Sequence, residues 1–397
     1  ASPMGDILKY QFQVPNWMGT LGVFANFIAY AIMGYPAGNM LQKLGYKKTA
    51  LIAIAVGFVG VGIQTLSGTA QSAFIAGFSM CLLNTVVNPM LNKLGGGGNK
   101  GNQLIQAGGS FNSLCGTAVI ILTGLLIPEG IKNAQISNVF PLMYAALAIF
   151  AFAFVVIALT KIPENEPAPE KKIKETSKYG PLSFRHFVLG SIAIFVYVGV
   201  EVGVPNILQK WLQNPDLNVL GDGVNVEAIA GSVAATYWLL MLVGRLLGAL
   251  VGSKVSARSM LTVVSSVCLL LTLTAMFIPE IPVNMPVFNG AEGFALVSVP
   301  LNAALLVLVG LCTSVMWGGI FNLAVEGLGK YTEKASGIFM ALVCGGGILP
   351  LLQNGIVDLA GGVGYLTSYW VIVVGAAYIL FYAMVGSKNV NKDIPVD

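Results

Sequence analysis

Stretches of about twenty consecutive apolar residues recur along the whole chain, and no other feature narrows its fold so far. Thr49 to Leu66 and Val139 to Leu159 contain no Asp, Glu, Lys or Arg. They reach the roughly 17 to 25 residues that cross a hydrocarbon core of about 30 Å. A segment immersed in lipid must satisfy its own backbone, as a helix does. Strands of a membrane barrel would alternate polar and apolar side chains over about ten positions, and these runs do not alternate. Composition agrees: 10% of residues are charged and 56% hydrophobic, whereas a soluble domain carries about a quarter charged residues.

Apolar runs and the polar turns between them predict spans near 16–41, 49–68, 71–93, 103–127, 139–160, 186–212, 226–251, 258–278, 297–325, 334–358 and 365–385, about eleven in all. One segment is of another kind. Lys161 to Ser183 sets Pro163, Pro167 and Pro169 among Glu164, Glu166, Glu170, Lys171, Lys172 and Lys174, a composition that cannot bury a core. It reads as a cytoplasmic linker, 161–184, between an N-terminal bundle, 1–160, and a C-terminal bundle, 185–397.

With that linker in the cytoplasm, the loops at Lys43–Lys48, Leu94–Asn102, Ser253–Arg258 and Gly327–Lys334 are cytoplasmic too. Only Lys9, Lys132 and Lys210 then fall on the other side, the bias the positive-inside rule expects of a plasma or inner membrane protein. In this orientation Ala1 to Pro15 lies outside, so a further helix is expected before it, giving about twelve spans, six on each side of the linker. The halves also echo each other. Asn88-Pro89-Met90-Leu91-Asn92-Lys93-Leu94-Gly95 parallels Asn322-Leu323-Ala324-Val325-Glu326-Gly327-Leu328-Gly329, and Lys43-Leu44-Gly45-Tyr46-Lys47 parallels Lys254-Val255-Ser256-Ala257-Arg258. Two related bundles are implied.

Several function classes fall away. Cys81, Cys115, Cys268, Cys312 and Cys344 lie in apolar stretches without paired spacing, which points to packing rather than disulfides or zinc. His186 is the one histidine, expected to be wet and interfacial, and a lone histidine builds neither a metal centre nor a Ser-His-Asp triad. Lys and Arg are spread through short loops, so no nucleic-acid surface is formed. Gly95 to Gly98 lacks the Lys-Ser or Lys-Thr of a phosphate loop and reads as a flexible loop. No cofactor or metal site and no enzyme chemistry is expected.

The layout resembles the major facilitator superfamily. Its loop signature is matched by Gly38, Lys43, Gly45, Lys47 and Lys48, with Gln42 at the acidic position. Asp6-Ile7-Leu8, Tyr35-Pro36-Ala37-Gly38, Asn84-Thr85-Val86-Val87-Asn88-Pro89, Ser110-Phe111-Asn112-Ser113, Tyr197-Val198-Gly199-Val200-Glu201, Gly244-Arg245, Ile320-Phe321-Asn322-Leu323-Ala324 and Gly345-Gly346-Gly347-Ile348 resemble, in order, the fucose/glucose/galactose branch of proton symporters. The resemblance implies two six-helix bundles with the first helix absent here, alternating access, a neutral monosaccharide as cargo, a coupling ion and a monomer in the bilayer. It also aligns Asp6 with a carboxylate used for coupling or substrate. Where fucose symporters carry a titratable Glu, this chain has Asn84. Proton coupling through other carboxylates, sodium coupling and uncoupled transport therefore all stay open.

The residues themselves propose a site. A charge inside a span is costly and calls for a reason. Glu201 sits mid-span with no Lys or Arg in that span before Lys210, so it is read as unpaired and able to exchange a proton near neutral pH. A bland reading makes it a protonated hydrogen-bond partner across a helix interface. Asn84 and Asn88 share a helix face, and with Gln106, Asn112, Glu201, Trp317 and Asn322 they are the expected substrate cage: amides donate to and accept from hydroxyls, and an indole covers a sugar's apolar face. Each amide alone is as readily helix glue. Ion coupling is expected at Glu201 and Asp6, and gating at Lys43, at Arg245 near the cytoplasmic end of its span, and at Glu326 with Lys330, four residues apart as in a helical ion pair. Proton-driven sugar import is the leading expectation, and a membrane sensor is the alternative from another class.

Overall fold

The computed structural model describes residues 21–67, 70–126, 140–162, 179–221, 224–288, 293–361, 364–391 and 393–396. Thirteen helices and one hairpin cover them: α1 (Leu21–Ser67), α2 (Ala70–Leu94), α3 (Gly98–Leu126), α4 (Phe140–Leu159), α5 (Arg185–Leu212), α6 (Val226–Val251), α7 (Ala257–Phe277), β1 (Pro282–Phe288), β2 (Phe294–Pro300), α8 (Leu301–Thr313), α9 (Met316–Val325), α10 (Thr332–Ala341), α11 (Gly345–Ala360), α12 (Gly364–Thr367) and α13 (Trp370–Phe381). Among the described residues, nine helical stretches are long and apolar enough to cross a membrane. α1 holds two spans, because Gly45 leaves the helix at φ 77° and ψ 179°. The pairs α8/α9 and α10/α11 are each one span with a local break.

The expected loop at Lys43 to Lys48 is thus a one-residue turn. Thr49 Oγ1 bonds the Gly45 carbonyl at 2.7 Å, and Lys47 Nζ reaches the Ala158 and Thr160 carbonyls at 2.8 and 2.9 Å. A cation on the last carbonyls of α4 satisfies acceptors the helix cannot. Gly95 to Gly98 is not a loose loop either: Gly96, Gly97 and Gly98 all have positive φ, and Gly96 and Gly97 donate to Lys93 and Asn92 carbonyls. Only glycine takes that conformation at little steric cost.

α1–α4 pack together, as do α5–α13, and the two groups meet along two seams, α1 with α10 and α3 with α6. α4 is apolar all round and has no buried residue, which suits a helix bathed in lipid. α5 is the reverse, buried on most of its surface between α6, α8, α9, α11 and α13. Hydroxyls inside the spans bond carbonyls one turn back, as Thr85 does to Cys81 and Thr272 to Cys268. Cys81, Cys268, Cys312 and Cys344 are buried and Cys115 is exposed.

The hairpin was not expected. Val283 faces Val299 and Met285 faces Val297 on the inner side, while Asn284 pairs with Ser298 and Pro286 with Leu296 on the exposed side. β1 lies on α6 and α8. Consequently the span predicted from residue 297 starts at Leu301. Asn302, fully buried behind it, donates to the Ala275 and Ile278 carbonyls at 2.8 and 2.9 Å and closes the end of α7. Asn302→Ala leaves both acceptors buried, so it is expected to cost about 1–3 kcal/mol, read as a lowered thermal midpoint in detergent.

Candidate functional site

Where the seam between α3 and α6 reaches α5, an ion pair is buried. Arg245 Nη2 donates to Glu201 Oε1 at 3.1 Å, with Arg245 7% and Glu201 9% exposed. The guanidinium also reaches across the seam: Nη1 donates to the Gly109 carbonyl at 3.0 Å and Ser113 Oγ at 2.7 Å, both on α3. Nε donates to the Ser314 carbonyl at 3.3 Å, in the break between α8 and α9. Gly109 leaves room, since a Cβ there would meet Arg245 Cδ at 3.4 Å. The planar fork of Arg suits four acceptors in fixed directions.

Two sequence expectations are corrected here. Glu201 is not unpaired, because its counter-ion comes from the next span, and any proton exchange must compete with Arg245. Arg245 does not end its span. α6 runs on to Val251, which places the guanidinium within the apolar part of the bundle. Tyr237 braces the pair by donating to the Glu201 carbonyl at 3.2 Å and lying 3.0 Å from Thr313 Oγ1. Tyr197, one turn before Glu201, is buried beside it.

The expected cage residues divide. Trp317 Nε1 donates to Asn88 Oδ1 at 3.2 Å across the two helix groups, and its ring stands edge-on to Tyr197 at 6.3 Å. Asn88 Nδ2 bonds the Asn84 carbonyl at 2.8 Å, and Asn84 Nδ2 bonds Tyr30 Oη at 3.1 Å. These five side chains and Glu201 are therefore linked through contacts around α1, α2, α5 and α9. Gln106 and Asn322 act as ties instead, to the Val315 carbonyl at 2.9 Å and the Gly98 carbonyl at 2.8 Å. Asn112 is exposed. Asp6 lies outside the described residues.

Of the expected gating residues, Lys43 is exposed at the turn around Gly45. Glu326 and Lys330 are not at helical spacing. α9 stops at Val325, Glu326 is extended, and Gly327 has φ 72°. His186 is buried rather than wet, its Nε2 donating to the Glu326 carbonyl at 3.0 Å. What sequence reading missed is the seam of α1 and α10. A Cβ on Gly337 would lie 2.5 Å from Gly34 O and Gly38 Cα, so the backbones touch. Ser336 Oγ bonds the Thr85 carbonyl at 3.2 Å, and Gln103 Nε2 bonds the Ala249 carbonyl at 2.9 Å across the other seam. All these ties sit toward the end that carries the basic turns. A Gly34-xxx-Gly38 spacing was the available signal, because small residues four apart let helices approach closely.

Two helix groups in contact along paired seams, with polar side chains and a buried ion pair between them, define a polytopic membrane transport protein. The chain belongs to the major facilitator superfamily: the Major Facilitator Superfamily profile matches residues 1–351. It is similar to a glucose/galactose transporter of Brucella abortus, 28% identical over 96% of this chain and 88% of that protein. It is also similar to the L-fucose-proton symporter of Escherichia coli, 23% identical over 91% and 85%. A crystal structure of the Escherichia coli fucose:proton symporter superposes with a TM-score of 0.73 at 20% identity, covering 98% of this chain and 95% of that one, and so shares the fold.

Proposed function

We propose that this protein imports a neutral monosaccharide of the glucose, galactose or fucose type together with a proton, by alternating access. The reading rests on relatives named for those sugars and for proton symport, and on one observation in particular. The Glu201–Arg245 pair lies in the wall between the helix groups, where an exchangeable proton can be felt by both. Segments 1–160 and 185–397 act as the two rocking bundles and 161–184 as the cytoplasmic linker. Asn84, Asn88 and Trp317 face the cargo, amides on its hydroxyls and the indole on its apolar face. Gln106 and Asn322 close the path on the basic, cytoplasmic side, and Asp6 is a second coupling candidate.

One observation favours a sodium-coupled or uncoupled carrier: an amide, Asn84, stands where a titratable group would serve, and it already holds Tyr30. Uptake of a panel of labelled monosaccharides into liposomes decides between them. Accumulation driven by a proton gradient and indifferent to sodium is expected. Accumulation that follows sodium, or equilibration alone, would replace the proton reading, and uptake of no sugar would remove the substrate assignment. Trp317→Phe keeps the ring but deletes the N–H to Asn88. Losing one hydrogen bond of about 1 kcal/mol is expected to raise KM about fivefold with protein levels unchanged.

A further inference from the structure

We propose that a cavity at the basic end of α5–α13 binds a phosphate ester that carries hydroxyl groups beside its phosphate, either a soluble ester or the headgroup of a lipid. The cavity measures about 580 Å³ and is lined by Arg258, Glu326, Gly327, Lys388, Asn389 and Val390. Small-molecule sites occupy roughly 300–1,000 Å³. It stands apart from the cage: Glu326 follows Trp317 by nine residues, about 13 Å along a helix. The inference therefore does not depend on the transport reading.

Arg258 lies in the first turn of α7, and Glu326 caps the C-terminus of α9. Helix dipoles favour an anion at the first place and a cation at the second, so each charge stands where it costs its own helix stability. The echo between the halves sharpens the point. Lys47 is spent on the last carbonyls of α4, whereas its counterpart Arg258 gives only Nε, to Ser387 Oγ at 3.2 Å. Among the described residues, the terminal nitrogens of Arg258, Lys388 Nζ, Asn389 Nδ2 and the Glu326 carboxylate have no hydrogen-bond or ion-pair partner. A π-helical turn, Tyr382–Gly386, follows α13 and brings Ser387 against Arg258 and Lys388 to the cavity wall. Such turns recur at functional sites. The positive-inside rule accounts for cations at this end, but not for a carboxylate held among them and left unpaired. Opposite charges that share a cavity without pairing fit a group placed between them. Arg258 and Lys388 supply charged donors for phosphate oxygens, Asn389 adds a neutral one, and Glu326 accepts from a hydroxyl. Bare phosphate would turn an oxygen toward Glu326 and be repelled, whereas an ester presents hydroxyls there.

Calorimetric titration of the purified full-length protein in phosphatidylcholine nanodiscs with glucose 6-phosphate tests the soluble source. Thermal unfolding in nanodiscs with and without phosphatidylglycerol tests the lipid source. Saturable binding of the ester, or a midpoint raised by the lipid, is expected, and whichever appears identifies the source. Arg258→Gln and Lys388→Gln are each expected to weaken the ester about tenfold, the loss of one charged hydrogen bond, or to abolish the lipid's effect on the midpoint. Lys254→Gln removes an exposed cation outside the cavity and is expected to change neither. If the soluble ester binds, inorganic phosphate is expected to bind more weakly than it, and Glu326→Ala to erase that preference. Absence of both ester binding and lipid stabilisation would overturn the proposal. So would binding that Arg258→Gln and Lys388→Gln leave intact, or a preference for the ester that survives Glu326→Ala.

Discussion

Glu201→Gln is expected to reduce the accumulation ratio of sugar in proteoliposomes to about one while counterflow stays within a few-fold of the unaltered protein. The free energy of a proton gradient enters transport only through a group that binds a proton on one side and releases it on the other, and an amide cannot. Glutamine keeps the size of the side chain and an oxygen for Arg245 Nη2, now at 3.1 Å from Glu201 Oε1, so the cargo cage proposed around Asn88 and Trp317 is expected to be retained and exchange of sugar for sugar to continue. Loss of accumulation and counterflow together would assign Glu201 to substrate or to folding instead. Arg245→Met is the informative contrast. It leaves a carboxylate buried without its counter-ion, which costs about 3–5 kcal/mol. The double exchange to Gln and Met strands no charge and should recover most of that loss, as read by thermal unfolding.

The spans were legible because a membrane leaves a chain so few choices: long runs without charge, basic turns between them, and glycines where helices end. Val226 to Val251 was predicted to the residue. The partner of Glu201 was not legible in the same way, since it lies 44 residues on and pairing depends on how α5 and α6 are rotated against each other. A local clue did exist. Leu246 to Val251 continue the apolar run beyond Arg245, which places the cation inside the span and asks for a counter-charge. Likewise Gly327 and Gly329 were stop signals that should have overruled a helical Glu326 to Lys330 pair. The hairpin escaped because Pro282 and Pro286 argue against a strand. Both sit on the outer row of a two-stranded sheet, where the alternation of Val283, Met285 and Val287 with polar or proline residues was the pattern to follow. Trp317 and Asn88 were named as cage residues, but the hydrogen bond that joins them across the helix groups could come only from the fold.

Gly337→Val is expected to cut uptake at least about tenfold and to hold the basic end open. On α10, any Cβ at this position falls 2.5 Å from Gly34 O and from the Gly38 backbone. Carbon and oxygen atoms settle at about 3.5 Å or more, so α1 and α10 must part by roughly 1 Å or more, and neither contact is a flexible side-chain tip that could turn aside. Valine adds two methyl groups to that demand. The substitution leaves α10 its helix and removes no hydrogen bond, which separates it from a folding lesion. Gly62→Val on the same helix α1 meets nothing within 4 Å and should leave uptake near its starting value. A thiol placed by Ser336→Cys, next to Gly337 on α10, whose native side chain is fully buried and bonded to the Thr85 carbonyl of the neighbouring α2, reports the opening. In a Cys115→Ser background it should react slowly with a polar maleimide added on the basic side, and quickly once Gly337→Val is introduced. Slow labelling in both, with uptake lost, would mean that the seam stays shut and that close packing of α1 on α10 matters for stability rather than for the passage between states.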